Sequence, residues 1–542
     1  MKFKLFLGTP MVFVAALLLL AFPSFSQHYY FPLNRDVNNR FDPYLYQPGN
    51  GFHTSIKPYI SNEVHKLVSA DTTFGFGMKE TKFSKTLVGR KLFNEHLFSI
   101  SQDDFMLYGD LNIEFRGGRS MEDVEDKNTF INSRGITVGG TFGNNFSFTS
   151  SFVESQATFP SYIDSVVEAT FVVPGGSRIK NFNDKYDYGT ASGTISYSLK
   201  KHFSFQLGHD KNFIGDGYRS MLLSDNSYNY PFLKINASFW KIKYMVLYAL
   251  FQDGPYLTFN DEESYRRKYG TFHYLDIDIG KKFTFGILEA IIWKHDPSRA
   301  FDINYMNPVI FLRPVEFSIG SPDNALLGFN FKYRINKSNH LYGQLMLDEF
   351  KLKEVRANDG WWGNKQAFQA GFKTFNIFGI NNLHAHTEFN YARPYTYQHR
   401  TSKTAYAHYN QALAHPLGAN FWESVSFINY SWKRWHGELK VSLAEVGFDL
   451  VDSTGTLANY GQNVLLSYDT RPDEYGNQTL QGMATTIMNA GGRVWYLLNP
   501  KSNMVVEAGV DIRRTENVVN TTETMYFYFG IKTSLTNRYT DF

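Results

Sequence analysis

Few groupings in this sequence have the residue types and spacing for chemistry. His384-Ala385-His386-Thr387-Glu388 sets two imidazoles and a carboxylate at every second position. On a strand all three share one face, an arrangement that suits a transition metal. Asp348-Glu349 has paired carboxylates of the kind that hold Ca²⁺. Asp276 and Asp278 also share a face, as a general acid and base would. Each has a plainer reading as part of a polar stripe on an inner wall, and the aspartate pair lacks a companion nucleophile. No G-x-S-x-G, H-E-x-x-H or phosphate-loop pattern occurs, and Gly117-Gly118, Gly139-Gly140 and Gly491-Gly492 read as strand or turn glycines. The expectation is a non-enzymatic protein without catalytic residues, metal or cofactor.

Binding chemistry is better represented. Tyr218 and Arg219 follow Asn212-Phe213-Ile214-Gly215-Asp216-Gly217 and lead on to Tyr228 and Tyr230. A second segment holds Tyr305, Asn307 and Arg313, and a third Trp361-Trp362-Gly363-Asn364-Lys365. Aromatic faces stack on the C–H faces of sugars while amide and guanidinium groups bond the hydroxyls. The expected glycan contacts are therefore Tyr218, Arg219, Tyr228, Tyr230, Tyr305, Arg313, Trp361 and Trp362. The alternative for these aromatics is a membrane-interface belt with loop–loop packing.

Composition limits what can position such residues. Aromatics make up 17% of 542 residues and charged residues only 19%, below the roughly 25% of soluble proteins. Mean hydropathy is nevertheless -0.33, so apolar residues are interleaved with polar ones. Past residue 22 no run of about 20 apolar residues occurs, which excludes a helical membrane protein. The cysteine count is 0, which removes disulfides, thiolate metal sites and a lipid-bearing cysteine. A net charge of +3 is too small to argue for nucleic acid.

The N-terminus reads as an export signal: Met1-Lys2-Phe3-Lys4, an apolar core from Met11 to Ala21, then Ser24-Phe25-Ser26 before a cut at Gln27. Residues 27–104 are expected to be a periplasmic segment or plug, with a short amphipathic helix around Leu87 to Phe98. From Phe105 to the end the chain alternates apolar and polar residues in segments of about ten. Phe105, Leu107, Leu111, Ile113 and Phe115 oppose Asp110, Asn112 and Glu114; Trp435, Leu439, Val441 and Leu443 oppose His436, Glu438 and Lys440.

About eighteen such segments are expected. They start near Phe105, Arg134, Phe146, Tyr186, Phe203, Pro231, Ile242, Lys268, Phe283, Asn324, His340, Gln366, Leu383, Phe421, Trp435, Met488, Met504 and Thr524. Short turns follow the even-numbered segments and long loops the odd-numbered ones, such as 156–185, 294–323, 394–420 and 448–486. That sorting is how an outer-membrane barrel presents loops outside and turns to the periplasm. The fold class is thus all-β, a transmembrane antiparallel barrel over 105–542 in the outer membrane of a Gram-negative bacterium. Lys200-Lys201, Lys241, Lys243, Lys281-Lys282, Lys337, Lys433-Arg434 and Lys501 crowd the short-turn rim, where they would meet lipid headgroups. The final Tyr539-Thr540-Asp541-Phe542 resembles the terminal strand that barrel-assembly machinery recognises.

Four stretches taken together resemble the Wzi-like capsule-assembly proteins. They are Gly208-His209-Asp210 through Gly215-Asp216-Gly217 to Leu222-Leu223-Ser224-Asp225-Asn226; Asn304-Tyr305-Met306-Asn307-Pro308; Asp323-Asn324-Ala325-Leu326-Leu327-Gly328; and Leu341-Tyr342-Gly343 with Leu347-Asp348-Glu349. The whole chain, including Gly360 to Lys365 and the last four residues, is similar to the RemB-type gliding-motility proteins of Bacteroidota. The resemblance implies an eighteen-stranded barrel with a periplasmic-side helical plug. It also implies a role in surface polysaccharide attachment or surface motility, with lipid, polysaccharide or motility components as partners. A porin-like diffusion channel is the alternative, since the strands offer polar inner faces.

Overall fold

The computed structural model describes residues 28–68, 79–102, 104–123, 125–182, 185–254, 266–295, 301–309, 311–320, 323–451, 455 and 457–542. The expected signal peptide, 1–26, lies outside them. Among the described residues, eighteen long antiparallel strands close into a barrel. They begin with β1 Phe105–Glu122, β2 Lys127–Phe142, β3 Phe146–Thr158, β4 Lys185–Leu199, β5 Phe203–Asp210 and β6 Tyr230–Phe239. Next come β7 Ile242–Gln252, β8 Arg267–Ile279, β9 Phe283–Lys294, β10 Asn324–Arg334, β11 Asn339–Glu349 and β12 Lys365–Phe375. The last are β13 Leu383–Ala392, β14 Phe421–Trp432, β15 Trp435–Phe448, β16 Met483–Asn499, β17 Met504–Asn517 and β18 Thr521–Thr533. β18 pairs with β1 to close the wall, so the long strands have no free sheet edge to leave unbonded in lipid.

All but three strands start within one residue of the expected positions; β2, β16 and β18 start earlier, at Lys127, Met483 and Thr521. Loop sorting holds with two exceptions. The connections after β1 and β17 are short, because β1, β2, β17 and β18 run on beyond the wall instead of giving way to loops. Outward residues such as Leu111, Phe115, Phe152, Leu439, Val441 and Phe529 are exposed, as a lipid-facing belt requires.

Residues 28–68 and 79–102 pack inside the short-turn end of the barrel. Helix α1, Arg35–Leu45, is capped by the Asn34 side chain, which accepts from Val37 N–H. It buries Val37, Phe41 and Leu45 against Phe31, Phe52, Tyr59, Val64 and Phe375 at the end of β12. Its polar face reaches the wall: Arg35 meets Glu438 of β15 at 2.6 Å, Asp36 meets Arg493 of β16 at 2.6 Å, and Asp42 meets Lys373 of β12 at 2.9 Å. Gly49 N–H donates to Lys281 O and Gln47 to Lys337 O, both in short turns. Helix α2 spans Leu87–Phe93, shorter than the helix expected to reach Phe98, because Phe98–Gln102 instead pairs with the start of β1.

Two expectations are corrected here. Lys243 and Arg434 of the basic rim point inward and hold this segment, Lys243 on Glu63 and Arg434 on Phe93 O and Asn94. A basic side chain that finds a carboxylate or carbonyl inside gains more than one left at a screened surface. The C-terminus is also not the lipid-facing end of a strand. β18 stops at Thr533, and residues 534–542 turn into the lumen. There Asn537 bonds Arg35 N–H and Asp225, Arg538 pairs with Glu114, and Phe542 packs on the apolar core. Asn537, Arg538 and Asp541 would be costly in lipid, whereas the lumen supplies a partner for each.

Candidate functional site

The interior divides into two halves of different character. Along β6–β12 the inward residues include Phe232, Met245, Leu247, Phe272, Leu288, Leu326 and Met346, and the loop after β5 fills this half with Met221, Leu222 and Leu223. The same loop pairs Ile214 with Ile56 of the N-terminal segment. Asp216, fully buried, accepts from Tyr46 Oη at 2.8 Å and from the Thr54 hydroxyl, with Lys332 Nζ at 3.5 Å. Burial opposes its charge, but Lys332 and Lys57 outweigh it and hold the carboxyl well below the usual range. Loop, plug and wall are thus tied at one carboxylate.

A second knot lies beside it. Arg219 donates to Glu423 of β14 at 2.7 Å and stands 3.1 Å from Asp541, the penultimate residue. Tyr218 Oη donates to Asp541, and Tyr539 Oη to Asp225 at 2.7 Å. Burial works against the Asp541 charge, yet Arg219 and Lys440 keep its carboxyl well below the ordinary value. A buried pair held by several charge-assisted bonds costs several kcal/mol to break (about 3–5 kcal/mol).

The other half, along β1–β5 and β15–β18, stays open as a cavity of about 880 Å³. Its openness follows from side-chain size. Ser133, Thr137, Thr141, Thr149, Ser151, Ser155, Ser192 and Thr194 line the wall of β2–β4 with short hydroxyls. The rest of the lining carries longer charged side chains in pairs, Arg116 with Glu114 and Glu507 on the wall, and Arg493 with Glu438 of the wall and Asp36 of helix α1. Tyr108, Tyr188, Tyr526 and Tyr528 project between them. Arg116 lies 4.8 Å from the Tyr528 ring centre. The lining runs from Lys501 and Asn503 at the short-turn end to Pro160 and Tyr162 at the long-loop end. Lys211, at the inner edge, is lowered to about 8 by burial, although Asp225 and Asp210 pull the other way.

The eight residues expected to hold glycan are scattered. Tyr218 lines the cavity, and Arg219 sits behind it with 1% of its surface exposed. Tyr230 is buried in the apolar half, and Tyr228 packs at a tilt against Tyr409, ring centres 5.0 Å apart. Trp361 and Trp362 pack with Tyr395 and Tyr468, and Trp362 Nε1 donates to Glu474 at 3.0 Å. Tyr305 donates to Asp323 and packs on Trp293, on the outside of the barrel, where exposed Arg313 also lies. Sequence spacing pointed to none of the cavity tyrosines of β1, β4 and β18, whose period-2 inward placement was the available signal.

The other chemical candidates are absorbed by structure. Glu388 accepts from Tyr218 and Arg219 N–H, Tyr342 Oη and Asn390; His386 faces Tyr342 Oη; His384 accepts from Asn376 N–H. Among the described residues no group of His, Asp and Glu has the arrangement of a metal site. Asp348 pairs with Lys365, Asp276 with His53, and Asp278 with Thr284 and Arg334.

Neither a family model nor a curated protein matches this sequence. Solved structures do match in shape. Wzi, an outer-membrane protein of Escherichia coli involved in group 1 capsule assembly and described as a carbohydrate-binding β-barrel, superposes with a TM-score of 0.51 at 12% identity. The match covers 92% of this chain and 98% of Wzi. Pseudomonas aeruginosa OpdK with vanillate gives 0.42 at 7% identity over 78% of this chain and 97% of its own. OprD from the same organism gives 0.39 at 9% over 78% and 94%. The fold is that of an outer-membrane β-barrel.

Proposed function

We propose that this chain is a non-enzymatic protein of a Gram-negative outer membrane that holds a surface polysaccharide, in capsule attachment or assembly or in surface gliding. The observation that carries the reading is the tyrosine- and hydroxyl-lined half of the lumen. Rings, paired guanidinium and carboxylate groups and a carpet of Ser and Thr hydroxyls are the groups that sugars engage. Tyr218, of the eight loop residues, would touch the glycan there, while the Trp361–Trp362 cluster fixes the loops around it. Wzi, described as carbohydrate-binding, supports the reading by its shape.

The test is titration of the purified protein with the organism's own surface polysaccharide, followed by intrinsic fluorescence. Saturable binding that weakens at least tenfold in Tyr528→Ala supports the proposal; no response across polysaccharides rejects it. A deletion strain scored for capsule retention and for spreading on agar separates the capsule role from the gliding role.

A diffusion channel is the second reading, favoured by one observation: the cavity lining reaches both ends of the barrel. Planar-bilayer recordings distinguish the two. A holding protein conducts little as the full chain and opens when residues 28–68 are deleted, whereas a channel conducts with the plug in place.

A further inference from the structure

Between β9 and β10, residues 301–309 and 311–320 do not join the other loops at the long-loop end or in the lumen. These two stretches lie against the outside of β7–β10. Alternation makes this visible: Lys243, Met245 and Leu247 of β7 point inward, so Tyr244, Val246 and Tyr248 point outward. The outward residues Val246, Thr271, His273, Ile291, Trp293 and Ala325 should meet lipid, yet all are buried. Ile291, Trp293 and Ala325 form one cluster with Tyr305 and Leu312 of the loop.

The wall beneath is chemically fitted to this cover. Glu289 faces outward halfway along β9, opposite His273 and Leu327, a position where a bare carboxylate in lipid is destabilising. Its two oxygens instead accept Leu312 N–H at 2.7 Å and Arg313 N–H at 2.6 Å, at the start of the helix Leu312–Ile319. Tyr244 Oη donates to Pro308 O at 2.7 Å, and Tyr248 Oη to Met306 O. Tyr244 lies just past the turn 240–241, so the segment descends almost the full height of the wall. Irregular backbone is tolerated at membrane depth only where protein supplies its partners, and here the wall supplies them. The side turned away from the barrel is apolar: Ile303, Val309, Phe311 and Phe317 are each more than 70% exposed. It continues the barrel's apolar belt.

We propose that residues 301–309 and 311–320 form a flap embedded in the bilayer, anchored by Glu289, whose outer face contacts lipid acyl chains. The proposal depends on the barrel spanning a membrane and is independent of the glycan reading. Because the chain has 0 cysteines, single sites can be labelled cleanly. Phe317→Cys, Val309→Cys and Val519→Cys, the last at the tip of the β17–β18 hairpin, would each carry a polarity-sensitive fluorophore in phosphatidylcholine–phosphatidylglycerol vesicles. Labels at 309 and 317 are expected to be quenched at least threefold more by spin-labelled acyl chains than by aqueous iodide, and the label at 519 the reverse. Iodide quenching at 309 and 317 equal to that at 519 overturns the proposal. Protection from both quenchers also overturns it, by showing contact between copies of the chain. Glu289→Leu suits a lipid-facing wall and should fold. It is expected to raise iodide access at 317 at least threefold, and unchanged access overturns the anchoring role.

Discussion

Arg219 and Asp541, separated by most of the barrel in sequence, meet at 3.1 Å with each side chain almost wholly buried. Glu423 flanks the guanidinium at 2.7 Å, and His415 Nε2 donates to the same carboxylate at 2.8 Å. The pair joins the loop after β5 to the end of the chain. Asp541→Asn leaves the Arg219–Glu423 pair and should cost about 1–3 kcal/mol, the scale of one hydrogen bond to a charged group. Arg219→Met removes the guanidinium that two buried carboxylates share, leaving Asp541 with Lys440 and Glu423 with His415, and should cost about 3–5 kcal/mol. Thermal unfolding in detergent is expected to rank the two in that order, and equal losses would mean that Asp541 and Glu423 do not share the arginine.

The plug should behave as a charge-matched insert. Asp36 and Arg493 pair at 2.6 Å across the junction of helix α1 and strand β16. Asp36→Arg alone sets two guanidiniums together and should raise bilayer conductance by loosening the plug. The exchange Asp36→Arg with Arg493→Asp should restore most of the block, with a coupling of about 1–3 kcal/mol in a double-mutant cycle. Conductance that stays open in the double variant argues against this contact as the docking point.

Acid should also loosen the interior. His28 of the plug is lowered to about 4, and His399 and His408 of the loop after β13 to about 3, burial being the first cause in each. His408 Nδ1 accepts Gln252 N–H at 2.9 Å, which fits a neutral ring. A lowered folded value means the released segment binds protons first. Stability is therefore whole above the unfolded value near 6.5 and is lost as pH falls toward the folded values. At pH 5 the loss is about 2 kcal/mol for each of His399 and His408. Amide exchange in 393–420, read between pH 7.5 and 5 and corrected for intrinsic rates, should rise steeply, and a flat profile would show these rings stay neutral for another reason.

Strand positions were legible because period-2 alternation is local: Leu439 and Val441 face lipid and Glu438 and Lys440 face inward, as read. The early start of β2 was missed because Lys127 to Ser133 extends beyond the apolar belt. There Ile131 turns inward onto Ile163 and Val167, so the usual polarity of the inner face is lost. Loop aromatics misled for a related reason. Tyr230 and Trp362 have the composition of a displayed binding surface, but whether a loop folds in or stands out depends on partners such as Tyr468, far away in sequence. The tail is the clearest case. Phe542 looks like the end of a lipid-facing strand, and only the buried arginine at 219 explains why Asp541 draws it inside. The cavity is legible in principle, since alternation sets Tyr526 and Tyr528 on the face opposite Phe527 and Phe529; what alternation does not state is how much of the lumen the loops leave empty.

The lipid-facing assignment itself makes a position-dependent prediction. Val441 lies mid-strand on β15, outward and 59% exposed, while Val518 lies in the 518–520 turn and is 93% exposed. By accessibility to water alone, arginine should be tolerated at both. In a bilayer the two positions differ, because a guanidinium at mid-depth loses its hydration and costs about 2–4 kcal/mol, falling toward zero at the interface. Val441→Arg should therefore lower stability by that amount in urea titrations of protein folded into phosphatidylcholine vesicles. Val518→Arg should stay within about 0.5 kcal/mol of the parent, as ordinary surface changes do. If both variants unfold with the parent, the outer wall of β15 is not in hydrocarbon, and the barrel's apolar belt must be covered by something other than lipid.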